Sequence, residues 1–284
     1  VFPKLSQGKT LFDDTIEFKN WKIRFQREFN NTDDKPLFNE INQGHIIYEG
    51  KMINQFTHTF NTPNYWTEFS KGGEYLQKRQ INRIKKKWKK TIDISSTKLD
   101  FNFYRLCWRD MTGASNTRTL LSTIIPPQVF MVETLPYLRP TYFNGTEFEK
   151  SITYDVSLFL CGVFNSFVID YLIRQRVQTH ATMSHILELP IPRYTEEDAY
   201  YTEIVQDVGS LICGKPEFDD LKREVKIERI ASTSDEQNAA MARINAYVAK
   251  IYDLTKNELE YVLSTFSDRT KCLKDDTLEE FAKL

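Results

Sequence analysis

The chain has 284 residues, 40% of them apolar and 27% charged, with a net charge of −1 and a sequence pI near 6.5. These values exclude a long membrane helix, since no apolar run approaches the roughly 20 residues a span needs, and they exclude the uniformly basic surface of a generic nucleic-acid binder. Cys107, Cys161, Cys213 and Cys272 stand far apart with no CxxC pair, so neither a disulfide framework nor a zinc site is expected. A globular protein of a reducing cytoplasm is the class that remains. The chain starts at Val1 with no initiator methionine and no signal-peptide pattern, and a fragment of a longer polypeptide is expected.

Trp21, Ile23 and Phe25 alternate with Lys22, Arg24 and Gln26, the period of a half-buried strand. A polar turn at 30–34 follows, then a strand or strand pair over 46–60, broken near Glu49-Gly50. From 67 to 88 the pattern is helical, with Gly72-Gly73 a weak spot. Residues 101–109 and 119–125 carry strand patterns, the second stopped by Pro126-Pro127, and 136–145 is expected as a loop. One long core helix is predicted over 154–177 and a short strand over 186–191, held by Pro190 and Pro192. After Arg193 the spacing turns helical throughout, at 196–213, 217–229, 235–252 and 256–266. Ser234 or Asp235 is expected to cap the third of these helices, with Met241, Ile244, Tyr247, Val248 and Ile251 as its apolar stripe; Asp253 or Thr255 caps the fourth. The expected fold class is α+β: a mixed-sheet module with flanking helices over 1–193, then a helical tail over 194–284.

Two stretches concentrate polar chemistry on regular elements. Tyr104-Arg105-Leu106-Cys107-Trp108-Arg109-Asp110 predicts a strand with Arg105 and Arg109 on one face, followed by a polar turn from Asn116 to Thr119 that contains Arg118. Each of the three arginines suits a guanine edge or a phosphate, or else an internal ion pair with Asp110, Glu133 or Glu147. From Lys78 to Lys90 the sequence KRQINRIKKKWKK has no acid. Ile81, Ile84 and Trp88 anchor one side of this helix and leave Lys85, Lys86, Lys89 and Lys90 free for phosphate or for solvent. Arg174 and Arg176 suit a helix C-terminus or a phosphate equally. Asn165-Ser166, on an apolar helix, predicts a buried amide that ties the helix to a neighbouring loop. His180 and His185 are expected as polar turn residues. Asp220 with Glu224-Val225-Lys226 mimics a nuclease acid–ExK pattern, but its spacing is that of a charged helix.

Several segments together resemble the C-terminal target-recognition (specificity) domain of adenine-specific DNA methyltransferases, especially the large fused type IIG-like restriction-modification enzymes. They are EGKMINQF ending at Phe56, YRLCWRD with SNTRT and IIPP, LFLCGVFNSFVIDYLIRQ, LELPIP, and the closing pair that begins at Asn245-Ala246-Tyr247-Val248. The resemblance implies double-stranded DNA as partner and a separate N-terminal catalytic domain that methylates adenine from S-adenosylmethionine after flipping the base. It implies DNA contacts by Lys85, Lys86, Lys89, Lys90, Arg105, Arg109, Asn116, Arg118, Arg174 and Arg176. Because family-wide residues cannot tell one target from another, base readers are expected in less familiar stretches such as 61–67 and 139–147. The catalytic Asn/Asp-Pro-Pro-aromatic loop has no counterpart: the nearest segment, Asn61-Thr62-Pro63-Asn64-Tyr65, lacks the double proline. No glycine-rich cofactor turn is present either, so a non-catalytic fragment with no cofactor of its own is expected. Two rival classes stay open, a self-contained nuclease or methyltransferase of unfamiliar form and a protein-interaction module that docks through its tail.

Overall fold

In the computed structural model, which describes Leu5, Thr10 and residues 21–284, every described strand lies before residue 151. The strands are Phe25–Gln26 (β1), His45–Tyr48 (β2), Tyr65–Thr67 (β3), Arg105–Trp108 (β4), Ser122–Ile125 (β5), Phe130–Met131 (β6), Tyr137–Leu138 (β7), Thr141–Phe143 (β8) and Phe148–Lys150 (β9). The α-helices are Glu74–Trp88 (α1), Tyr154–Phe164 (α2), Phe167–Arg174 (α3), Met183–Leu187 (α4), Tyr201–Ile212 (α5), Asp219–Val225 (α6), Ser234–Ile251 (α7), Lys256–Ser264 (α8) and Lys271–Lys283 (α9). The fold is α+β. An antiparallel sheet runs in the order β1-β7-β4-β5; a mixed sheet runs β3-β2-β6, with β2 parallel to β6; β8 and β9 form a hairpin.

β4 organises the interior because both of its faces are covered. Strand alternation sends Leu106 and Trp108 into the largest apolar cluster and Cys107 into a second one with Tyr48, Met52, Ile125 and Tyr137. On the first face lies α2, buried from Val156 to Phe164, with α5, α6 and α7 packed around it. Gly162 sets the closeness of α2 to α5: a Cβ there would lie 2.7 Å from Ile204 Cγ2. The helices after Arg193 share this cluster with Trp21, Leu106 and Trp108, so the apolar core runs without a break across that residue. No single helix among the described residues is long and apolar enough to cross a membrane, and the apolar pair α2–α3 is bent by 63°.

Four sequence expectations are corrected. The predicted 154–177 helix is two helices, because Ser166 turns extended and ends the first of them at Asn165. Its Oδ1 accepts from Ser122 N–H at 3.0 Å, its Nδ2 donates to Ser122 O at 2.9 Å, and the Ser166 hydroxyl caps α3 by accepting from Ile169 N–H at 3.2 Å. The buried amide thus finds its partners on a strand. The loop expected at 136–145 contains β7 and β8, whose backbones pair with β1, β4 and β9. The strand expected at 186–191 begins as the short helix α4, opened by Thr182 and His185 in a reciprocal cap. In the tail, Thr233 and not Ser234 or Asp235 caps α7, because Glu236 stands three residues on to complete the capping box. Thr255 caps α8 in the same way.

Arg105 lies in the interior. Its Nη1 donates to Glu28 Oε1 at 2.7 Å and its Nη2 to Val129 O at 2.6 Å, while Glu28 Oε2 accepts from Met131 N–H at 2.8 Å. Burial pushes the Glu28 carboxyl up to about 7, and Arg105 beside it pulls the other way. The pair joins the chain after β1 to both β4 and β6. Arg105→Ala strands a buried carboxyl without its cation, so we expect a loss of about 3–5 kcal/mol in urea denaturation at neutral pH. Combining Arg105→Met with Glu28→Leu should restore most of it, because no lone charge is then buried. A single replacement with an unchanged midpoint would contradict this account.

Candidate nucleic-acid interface

α1 buries Leu76 and Ile84 and leaves Lys78, Lys85, Lys86, Lys87, Lys89 and Lys90 exposed. Lys78 lies 3.7 Å from Glu74, whereas Lys85, Lys86, Lys89 and Lys90 form no ion pair with a described residue. The helix ends at Lys89, whose left-handed φ of 55° lets its N–H reach Lys85 O at 3.0 Å. Just before that end, Trp88 meets Phe143 of β8 edge-on, with centroids 6.3 Å apart. Gly145 permits this contact twice over: its φ is +106°, and a Cβ there would fall 2.7 Å from the Trp88 ring. The lysine face and the β8–β9 hairpin are therefore contiguous, and β8 with the turn after it falls within 139–147, one of the stretches expected to read bases.

A cavity of 270 Å³ lies between α1, the β1/β7 edge and that hairpin. Five of its lining residues are cationic, Arg24, Arg79, Arg83, Lys87 and Arg139, against the carboxylates Glu28 and Asp100. Both acids are already engaged. Glu28 holds Arg105, and Asp100 accepts from the Tyr137 hydroxyl at 2.9 Å and from Arg139 Nε at 3.0 Å. Arg79 donates to the Glu28 carbonyl and lies 3.9 Å from Asp34. Arg83 has no carboxylate: its Nη1 donates to Gln26 Oε1 at 3.1 Å. Desolvation, and then the positive charges of Arg79 and Arg139, hold its pKa below the usual guanidinium value. Of these cations the Lys78–Lys90 run contains Arg79, Arg83 and Lys87 and the 139–147 stretch contains Arg139; with Arg24, just before β1, they come from three segments that only folding unites.

The arginines expected at DNA are placed otherwise. Arg105 is enclosed with Glu28. Arg109 donates from Nε to Gly50 O at 2.8 Å and from Nη2 to Ile53 O, closing the turn at Gly50–Met52. Arg118 is buried, with its Nε 2.6 Å from Asp170 Oδ2 and its guanidinium 4.3 Å from the Phe167 ring centroid. Arg174 lies 3.4 Å from Asp170 Oδ1, donates to the carbonyls of Asn116 and Thr117 at 2.7 Å, and stacks 4.3 Å from Phe266. Arg176 faces Glu188 at 3.6 Å. Exposed Asn116 donates its amide to Thr112 Oγ1 at 3.3 Å. None of these partners belongs to α1. Arg105 and Arg118, expected at DNA, thus lie in the interior, their guanidinium groups held by carboxylate and carbonyl oxygens. The internal acids they find are Glu28 and Asp170, while Asp110 pairs with Arg27 at 2.9 Å.

The nuclease-like pattern is helical. Asp220 and Glu224 lie on α6, paired with Arg223 and with Lys150, and Lys226 ends the helix at φ 58°. Among the described residues no group of three His, Cys, Asp or Glu is placed to hold a metal ion. The 61–65 segment lacks the double proline of a methyl-transfer loop, and its side-chain amides tie it to the neighbouring turn, Asn61 donating to Lys51 O at 2.8 Å and Asn64 to Glu49 Oε2 at 3.1 Å.

His58 carries no motif signal and was not singled out in the sequence. It is buried between the Tyr48 hydroxyl, 2.9 Å from Nδ1, and Glu217, 3.2 Å from Nε2. The Tyr48 hydroxyl assigns a neutral ring that accepts at Nδ1, with Nε2 near Glu217 but not aligned with it as a hydrogen bond. Burial, then the charge of Lys215, pushes its pKa down to about 4. An unfolded His titrates near ~6.5, so between there and 4 the unfolded chain holds the extra proton. Stability is therefore full above about pH 6.5 and should fall by up to about 3 kcal/mol as the pH drops toward 4. Urea midpoints across this window should slope less steeply for His58→Gln than for the wild type, and parallel curves would refute the assignment. In comparisons with known proteins, no family model and no curated protein matches the chain.

Proposed function

We propose that the chain is a double-stranded DNA-binding, target-recognition module of a site-specific adenine-N6 methyltransferase in a restriction-modification or phage-defence system. Phosphates lie against the α1 lysines, and the β8–β9 hairpin beside them approaches the base edges. In this reading, methyl transfer from S-adenosylmethionine belongs to a separate domain and the module itself is not catalytic. It works in a reducing cytoplasm, in keeping with four cysteines that all remain thiols. One observation carries the reading: four lysines without ion-pair partners, at the end of α1, adjoin an arginine-lined cleft through the Trp88–Phe143 contact. Such lysines hold phosphate as solvated point charges, releasing roughly 0.9 of a counterion per phosphate neutralised.

Fluorescence anisotropy of a labelled duplex over a salt series tests this. Binding should be measurable at low salt and collapse as salt rises. Replacing Lys85, Lys86, Lys89 and Lys90 by Gln should lower the slope of log affinity against log salt by up to about 3–4 units, about 0.9 for each phosphate that is no longer neutralised. These side chains are exposed, so the variant should keep its thermal midpoint. Absence of duplex affinity at low salt, or an unchanged slope in the variant, would sink the proposal.

A further inference from the structure

The cleft beneath α1 has the features of a ligand site as well as those of a charged surface. Arg83 is held in place and left unneutralised. Its Nη1–H is received by Gln26 Oε1 at 3.1 Å, Gln26 Nε2 in turn donates to the Tyr137 hydroxyl at 3.1 Å, and that hydroxyl donates to Asp100. The chain of hydrogen bonds fixes the guanidinium but ends on Asp100, a carboxylate already bonded by Arg139, so Arg83 pairs directly with no carboxylate among the described residues. Lys87 and Arg24 line the same cavity without an ion-pair partner among the described residues. Like charges gathered in a concave, partly desolvated place repel one another, and an anion seated among them reverses the sign of that interaction. On the hairpin beside the cavity, Glu149 is occupied by the Tyr142 hydroxyl, the Asn144 amide and, at 3.4 Å, Lys22.

The opposite wall is aromatic. Phe143 and Phe148 of the hairpin lie with centroids 5.3 Å apart, and Trp88, 38% exposed, closes on Phe143 from α1. A guanidinium fork suits phosphate oxygens, and aromatic faces suit a base of any identity. The volume of 270 Å³ is just below the roughly 300–1,000 Å³ of drug-sized ligand pockets, which suits one nucleotide and not a duplex.

We infer that this cavity binds a single phosphate-bearing nucleotide unit, with its phosphate on Arg83 and its base against the Trp88–Phe143–Phe148 wall. The inference stands apart from duplex binding by α1, because its ligand chemistry is complete in inorganic phosphate and a mononucleotide. The shared chemistry has two sources, a free nucleotide or the end of a DNA strand.

Isothermal titration and thermal shift with the whole chain test it, using inorganic phosphate, deoxyadenosine 5′-monophosphate, deoxyadenosine and a 5′-phosphorylated single-stranded hexanucleotide. Phosphate should bind, the monophosphate should bind more tightly, and the nucleoside should be far weaker than its phosphate ester. Arg83→Gln should weaken phosphate and monophosphate alike by about tenfold or more. Trp88→Ala should weaken the monophosphate by about tenfold while leaving inorganic phosphate unchanged, a split that loss of fold would not produce. Should Arg83→Gln not fold, Arg83→Lys keeps the charge without the planar fork, and a severalfold weaker monophosphate is expected there. Tighter binding of the hexanucleotide than of the monophosphate assigns the source to DNA, and the reverse order to free nucleotide; either supports the pocket. Monophosphate binding retained by the four-lysine variant supports the pocket even where duplex affinity is lost. Absence of heat and of any midpoint shift with both phosphate and monophosphate, or equal affinity in Arg83→Gln, overturns it.

Discussion

The structure hinges on one fully buried carboxylate, Asp170. It sits on α3 with no exposure and accepts from Arg118 Nε at 2.6 Å, from Thr119 N–H at 3.0 Å and from Arg174 Nε at 3.4 Å. Removing a charge from water costs several kcal/mol, so this carboxylate tolerates its position only while its donors stay in place. Those donors come from the loop before β5 and from the end of α3 itself. Next to it, Asn165 clamps the first residue of β5, its carbonyl receives Gln55 Nε2 at 3.0 Å and the Arg118 guanidinium, and Asn245 Oδ1 on α7 accepts Phe167 N–H at 2.8 Å. Sheet, bent helix and tail thus meet in one polar knot inside an apolar core. Partial satisfaction would be worse than none, which makes the arrangement all-or-nothing.

That knot explains why some of the sequence was legible and some was not. Alternation at Trp21, Ile23 and Phe25 marked burial correctly because strand geometry is a local property: Trp21 and Ile23 are buried, and Lys22 and Arg24 exposed. The tail helices were legible for the same reason, since apolar spacing acts within a few residues, although the Thr233–Glu236 box that caps α7 was not read. The bend at Asn165-Ser166 was not, because apolar periodicity continues through it and the cause lies 43 residues away at Ser122. β7 was hidden too: Tyr137 and Leu138 look like part of a Pro- and Gly-rich loop, and only β1 and β4 on either side make them a strand.

The candidate site shows the same division. A run of lysines on one helix face is visible in sequence because solvent exposure follows helical period. Arginine partners are not visible, since Glu28 lies 77 residues from Arg105 and Asp170 lies 52 from Arg118. The choice between a phosphate role and an internal one depends on those distant acids. The segments that carry the methyltransferase resemblance, EGKMINQF, YRLCWRD, SNTRT and the Asn-Ser helix, are also those stitched together by Arg109, Gln55, Asn165 and Arg118.

The division of labour between the two basic residues follows from their chemistry. Arginine offers a planar fork that satisfies a carboxylate and a carbonyl at once, as Arg105 does with Glu28 and Val129 and Arg118 with Asp170 and Asn165. Lysine stays hydrated, and the α1 lysines remain in solvent. A chain of net charge −1 can present a cationic face under this arrangement, because its arginines neutralise acids in the interior while α9 pairs its own Lys271 and Lys283 with Asp275 and Glu280. Arg83 departs from the pattern. Its guanidinium bonds a neutral amide oxygen, that of Gln26, beside the like charges of Arg79 and Arg139, where Arg105, Arg118 and Arg174 meet carboxylates directly. That difference in partner is the ground on which the proposed phosphate site rests.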